Sequence, residues 1–443
     1  MKPLIATGMF AFLLAIQPFL SQTMYTSGAQ IAILNGAVFQ CNGGFHINSS
    51  SQITNDGTLY VTRFSSPTLA GTIKIDNNSL LSGTGSYHIE QDWINNATFS
   101  GSSSTVELYG DLEQFITSDN GTITTFNNLQ LVGVGTGINR RKSLLNVNSN
   151  VSPNGFLSLG DRELYTGTNT LTIENTDPAS VQNSSIFGNE GFVSSLIPGN
   201  LIRNTNSQDS YLFPVGSSDG TLRYRPVHIA PNSSSNQEFA VRFNNYNSDN
   251  DGYLVASHEN SISQANTLFY HSIERLSGTS SSDIQIDYIP ANDGNWNSLA
   301  DWHSALAMWR AIGITSSLSA SNYASISKIS WDFSNNTKEY ILTNLIDNIV
   351  IPSGFTPNGD GTNDQWDLLN LDQQYPENEV RIFNRWGELL FEHNSSKNDP
   401  YSDNPWDGKF QGEQMPVGSY YYIINLNDTD KTVKNGVISI IKK

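Results

Sequence analysis

Short clusters of Asn, Asp and Gly punctuate the first half of this chain, and no other feature restricts its fold so sharply. They stand at Asn55-Asp56-Gly57, Asn77-Asn78, Asn95-Asn96 and Asp119-Asn120-Gly121, roughly 20 residues apart, the period of rungs in a β-solenoid. Between them lie the runs TLYV (58–61), TIKI (72–75), TVEL (105–108) and LQL (129–131). Every second side chain in these runs is apolar or aromatic, the period of a half-buried strand. Asn, Asp and Gly tolerate the left-handed backbone angles that corners need. A lone rung cannot bury its apolar face, so stacking would join the inward Leu, Ile, Val and Phe residues into one core. A two-sheet sandwich with Asn-rich loops is the competing arrangement, and the irregular spacing before Gly101 leaves it open.

Composition points the same way. Only 14% of the 443 residues are charged, while Asn, Ser, Thr and Gly are abundant, a mixture that disfavours helices and suits short strands and tight turns. The length predicts two to four domains. Cys41 is the single cysteine, so no intrachain disulfide can form and stability must come from sheets or bound ions. Lys and Arg number 23 against 41 Asp and Glu, a net charge of -18 with no block of like charge. Such a coat repels phosphate backbones, which makes nucleic acid a poor partner. It suits a protein outside the cell, or one that collects divalent cations.

Residues 349–443 carry four ordered blocks: FTPNGDGTND (355–364), VRIFNRWGELLFE (380–392), WDG (406–408) and PVGSYYYIINL (416–426). Together they resemble the gliding-motility-associated C-terminal domain, the type B sorting domain of the type IX secretion system of Bacteroidota. The residues that carry the resemblance are Phe355, Thr356, Pro357, Asn358, Gly359, Asp360 and Gly361, then Asn384, Arg385, Trp386 and Gly387. Trp406, Asp407, Gly408, Gly418, Tyr420, Tyr421 and Tyr422 complete the set. The resemblance implies passage across the outer membrane to the cell surface or the medium. The type IX translocon and an outer-membrane shuttle protein would be the partners. It covers about a fifth of the chain and is silent on what the cargo does.

The residues themselves predict a small sandwich of about seven strands here. Val380 and Ile382 face one way and Arg381 and Phe383 the other, 384–387 makes the hairpin bend, and 437–441 closes the sheet. Tyr420, Tyr422 and Ile424 alternate with Tyr421 and Ile423 in a central strand, and Trp386 and Trp406 are expected in the core.

At the other end, Lys2, the apolar run 4–20 and Ser21 before Gln22 have the layout of a Sec signal peptide, 1–21. A membrane anchor is the alternative, since roughly 18 apolar residues span a bilayer. Pro18 and the C-terminal label favour cleavage.

Over 201–348 the runs lengthen. YLFPVG (211–216) precedes RYRPVHIA (223–230) and FAVRF (239–243), with Pro214 and Pro226 placing strands on an edge or beside the prolines. FYHSIERL (269–276), IQIDYI (284–289), SISKISWDF (325–333) and YILTNL (340–345) follow. The segment 298–312 has helical spacing at Leu299, Trp302, Leu306 and Trp309, yet strand-turn-strand is preferred. The sum resembles the β-sandwich that follows a solenoid in exported proteins. The stretch 104–175 is similar to rungs of large repetitive surface proteins of the same bacterial group.

Three constellations could carry chemistry. In 356–367, Asn358, Asp360, Asp364 and Asp367 fall near the oxygen-ligand positions of a calcium loop, with Gly361 at the turn. However, Thr356 stands where a carboxylate is usual. An Asx-rich turn explains the same residues. The triplet Arg140-Arg141-Lys142 reads as a solvated turn, with Asp161, Arg162 and Glu163 expected one rung on. His46, His88, His228, His258, His271, His303 and His393 show no metal-type or catalytic spacing. Dispersed carboxylates such as Asp92 and Glu107 would need to meet across rungs to form a glycosidase pair.

The chain is therefore expected to be mostly β. A β-solenoid-like region at 22–200 precedes a β-sandwich at 201–348 and an Ig-like sorting domain at 349–443. The expected role is non-catalytic, in adhesion, surface structure or glycan contact, with no cofactor unless calcium binds. The alternative is a polysaccharide lyase or glycoside hydrolase acting on extracellular glycans.

Overall fold

A computed structural model describes residues 23–63, 70–313, 316–318, 322–333, 338–345, 349–396, 399–427 and 431–441. The expected signal peptide, 1–21, and the terminal lysines lie outside the described residues. The chain is mostly β, and its first part is built from parallel strands.

Eight strands pair in parallel to form a first sheet: Met24–Ser27, Phe45–Asn48, Ile73–Ile75, Trp93–Asn95, Gln114–Thr117, Arg141–Leu145, Glu163–Gly167 and Phe192–Ser195. Between consecutive members the chain visits two other sheets. One begins with Gln30–Ile33 and Gln52–Asn55, and the other with Val38–Asn42 and Thr58–Thr62. Each sheet thus takes every third strand, and the chain coils. Phe45 pairs with Ile73 and Ile73 with Trp93, so one circuit is 28 residues long and the next 20. The strands stack in register while the corners vary in length, which is why the turn clusters drift in sequence.

Alternation in the third sheet sends Leu59, Tyr87, Val106, Leu129, Leu157 and Val181 inward at matching register positions. Their neighbours Gln40, Tyr60, His88, Glu107 and Gln130 form a ladder on the outside. Corner chemistry follows the turn clusters. Asn77 and Asn78 have φ of 52° and 57°. Asn55 is buried, accepts from the Gly57 N–H and donates to the Ser86 carbonyl at 2.9 Å on the next circuit. Buried backbone groups at the corner are satisfied that way. Gly155 is required by close approach: a Cβ there would lie 1.6 Å from the Asn127 carbonyl oxygen.

The coil does not end at a gap. Strands Thr124–Phe126, Ser149–Val151, Thr170–Ile173 and Asn200–Thr205 run parallel, and Asn200–Thr205 then pairs antiparallel with Gln237–Asn244. That sheet continues through Tyr270–Ser277, Glu339–Leu345, Ser298–His303 and Met308–Ala311. A second antiparallel sheet contains Tyr211–Phe213, Val227–Pro231, Ser282–Tyr288 and Ala324–Trp331. One hydrophobic core runs from Ile33 to Leu342. Tyr211–Phe213 stops before Pro214 and Val227–Pro231 starts after Pro226, as a missing N–H donor requires. The segment 298–312 is a hairpin in which Trp302 faces Trp309.

Residues 349–441 hold a separate core that includes Phe355, Trp366, Val380, Ile382, Trp406, Tyr420 and Ile438. Their sheet has the order Gly354–Phe355, Val433–Ile440, Gly418–Asn425, Glu379–Phe383, Leu389–Asn394. The last long strand does not close the sheet as expected, because Gly354–Phe355 lies beyond it in parallel. Trp406 is fully buried, but Trp386 is 81% exposed, which corrects its placement in the core. It sits at the tip of the hairpin 384–388, where no second layer can cover it, and the Arg385 guanidinium lies 5.0 Å from its ring centre.

Candidate functional site

The blocks of the C-terminal region assemble by loop chemistry. Phe355 packs against Trp406 with ring centres 5.4 Å apart. Gly408, at φ 76°, sits so close to Pro357 and Phe355 that a Cβ would lie 3.1–3.2 Å from them. The WDG block is therefore the wall against which FTP folds. Asp407 accepts from the Lys409 backbone N–H and side chain. At the hairpin tip, the Asn384 side-chain oxygen accepts from the Trp386 and Glu388 N–H groups, and Gly387 takes φ 83°. Gly418 opens the central strand, in which the Tyr420 hydroxyl donates to the Pro416 carbonyl and the Tyr422 ring lies 5.1 Å from Trp366. Tyr421, on the opposite face, is half exposed.

The candidate calcium loop is organised around Asp364. Its Oδ1 accepts from the N–H groups of Asn358 and Gly359, and its Oδ2 from Gly361 at 2.7 Å. Those backbone donors, Gly359 and Gly361 first, hold its carboxyl below the ordinary carboxylate range. Thr356 ties the loop through backbone and hydroxyl to Asn363 and Thr362. Asn358 and Asp360 make Asx turns to Asp360 and Thr362, and Asp367 is exposed. Among the described residues no group of three or more His, Cys, Asp or Glu side chains is placed to hold a metal ion. Asp364 acts as the loop's hydrogen-bond centre.

The basic triplet is not a solvated turn. Arg141–Leu145 is an interior strand of the first sheet. Lys142 faces inward at 0% exposure, donating to the Gly110 carbonyl at 2.7 Å and to Gln114 Oε1. Burial pushes its ammonium down to about 7. Arg141 faces outward yet is covered: it pairs with Glu163 at 3.2 Å, its register partner one circuit on, and with Asp219. Glu163 also accepts from Ser194 and Ser218. The network fastens the segment after Val215 onto the coil.

The histidines stay apart. His46 meets Asp76 at 2.7 Å and His88 meets Glu107 at 2.9 Å, with Tyr60 stacked 4.5 Å from the His88 ring. His271 is buried beside the Arg225 carbonyl, and burial lowers it to about 4. Asp92 caps the Phe115 N–H beside the first sheet whereas Glu107 lies in the third, so the two carboxylates do not form a pair. Sequence reasoning missed the outward Tyr60–His88–Glu107 ladder. Its members are 28 and 19 residues apart, and only the register reveals them as neighbours.

With this geometry in view, residues 349–440 match the CHU_C Type IX secretion signal domain. The C-terminal region is therefore a type IX sorting signal, which implies interaction with the type IX secretion machinery and export to the cell surface or secretion. No curated protein and no solved structure matches the chain. No helix among the described residues is long and apolar enough to cross a membrane.

Proposed function

We propose that this chain is a non-catalytic type IX cargo that contacts extracellular polysaccharide. In this reading residues 22–200 are a β-solenoid shaft, 201–348 a β-sandwich docked on it, and 349–443 the sorting domain engaged by an outer-membrane shuttle protein. The every-third-strand parallel register supports the solenoid, and the separate aromatic core supports an independent sorting unit.

The outward ladder of Gln40, Tyr60, His88, Glu107 and Gln130 carries the glycan reading. Its members stand one per circuit, about 4.8 Å apart, so a linear polymer lying along the shaft meets a polar or aromatic group at each step. Amide, imidazole and carboxylate supply hydrogen bonds, and the stacked Tyr60 and His88 rings present their edges as additional contact area. The full chain on a glycan array is expected to retain a polysaccharide without releasing product, and Tyr60→Ala with His88→Ala should abolish retention. Turnover of any arrayed glycan would reject the reading in favour of a lyase or hydrolase.

A further inference from the structure

A cleft of about 180 Å³ opens where the end of the coil meets the antiparallel region. Arg140, Phe187 and Glu190 line it from the coil side, and Tyr224, Asn292 and Tyr323 from the other. Its rings touch in sequence. Phe187 lies 5.2 Å from Tyr323, Tyr323 lies 6.2 Å from Tyr224, and Tyr224 stacks 6.4 Å from Phe192 on the floor.

Each oxygen of the Glu190 carboxylate at this cleft already has a donor within the protein. Glu190 Oε1 accepts from the Tyr323 hydroxyl and Oε2 from the Gly188 N–H, both at 2.8 Å. The Arg225 guanidinium is neutralised by Asp293. The donors are not exhausted. Arg140 gives Nε to the Asp161 carbonyl and Nη2 to the Glu190 carbonyl, and among the described residues Nη1 has no acceptor. The Tyr224 hydroxyl accepts from Asn183 Nδ2 at 2.9 Å, which leaves its own proton to donate. The Asn292 side chain is exposed.

An aromatic pocket with a free carboxylate would select an ammonium group. Here the carboxylate is occupied and the cation Arg140 stands at the wall, so the complementary ligand is rich in acceptor oxygens and has an apolar face. The volume equals roughly six waters, room for one ring rather than a chain, and such sites favour the junctions between structural units. We propose that this cleft binds a single pyranose ring, one face stacked on Phe187 and its rim against the perpendicular Tyr323 ring, with hydroxyl or carboxylate oxygens toward Arg140 Nη1, the Tyr224 hydroxyl and Asn292. The proposal takes its ligand class from the glycan reading above, but its location is independent of the ladder.

Titration of the full chain with glucose and with glucuronate, followed by saturation-transfer NMR, tests it. The expected Kd is on the order of 1 mM, the range open to a dozen heavy atoms. Phe187→Ala, at a 46% exposed rim position, should weaken binding about tenfold, one aromatic contact's worth. Tyr60→Ala should leave it unchanged. No saturable binding of either sugar, or equal affinity in Phe187→Ala, overturns the site. Binding of the monosaccharide with no retention of any polymer would instead sink the ladder and leave the cleft standing.

Discussion

The coil and the sorting domain bury their cores by different means. The coil spreads aliphatic side chains through circuits of parallel strands, from Ile33 onward, and closes corners such as those at Asn55 and Gly155 with a side-chain amide or a glycine. It even admits Lys142 to its interior, because Gly110 and Gln114 supply acceptors there. The sorting domain has about ninety residues and few turns of chain to stack, so it concentrates burial in Trp366, Trp406, Tyr401 and Phe355. Small units expose proportionally more surface, and large rings offset that with the most area per residue. Stability in the coil is therefore distributed and repetitive, whereas in the sorting domain it rests on a few side chains.

That contrast can be broken by substitution. Trp406→Ala should remove about 3–5 kcal/mol from the sorting domain. In denaturant titrations followed by circular dichroism, one transition should shift and the other stay. A single transition that moves as a whole would merge the two bodies. Lys142→Met removes a buried cation but also the donor to the Gly110 carbonyl, so its clearest effect should be on how coil stability depends on pH. Lys142 in the fold sits at about 7, below its ordinary 10.5, so the unfolded chain binds more protons between those values. Stability of the parent chain should thus rise with pH from about 7 toward 10.5, and Lys142→Met should flatten that rise. An unchanged pH profile would show that the ammonium is hydrated after all.

Gly155→Ala forces a Cβ onto the Asn127 carbonyl and should cost the coil about 1–3 kcal/mol, with the sorting-domain transition unmoved. The smallest effect belongs to Trp386→Ala. An exposed hairpin tip should change stability by no more than about 0.5 kcal/mol, and a larger loss in thermal melts would mean that the ring is covered.

Much of this was legible in the residues. TLYV, TVEL and LQL alternate because a strand with one buried face must, and the C-terminal blocks kept their order because their loops are fixed by Asx and glycine geometry. What stayed hidden depends on partners distant in sequence. Arg141 and Lys142 look like a surface turn until register sets Arg141 beside Glu163 and Lys142 beside Gln114. Trp386 and Trp406 have similar neighbours in sequence, yet one crowns a hairpin and the other fills the space under Phe355. The cleft was invisible for the same reason, since Arg140, Glu190 and Tyr323 meet only after the chain has turned through several circuits.

The most direct measurement is the cellular location of the full chain and of a version lacking 349–443, by fractionation and surface protease accessibility. If the aromatic-cored terminal unit is the address read by the type IX machinery, the full chain reaches the surface or the medium and the truncated one accumulates, folded, in the periplasm. Equal surface delivery of both would contradict that.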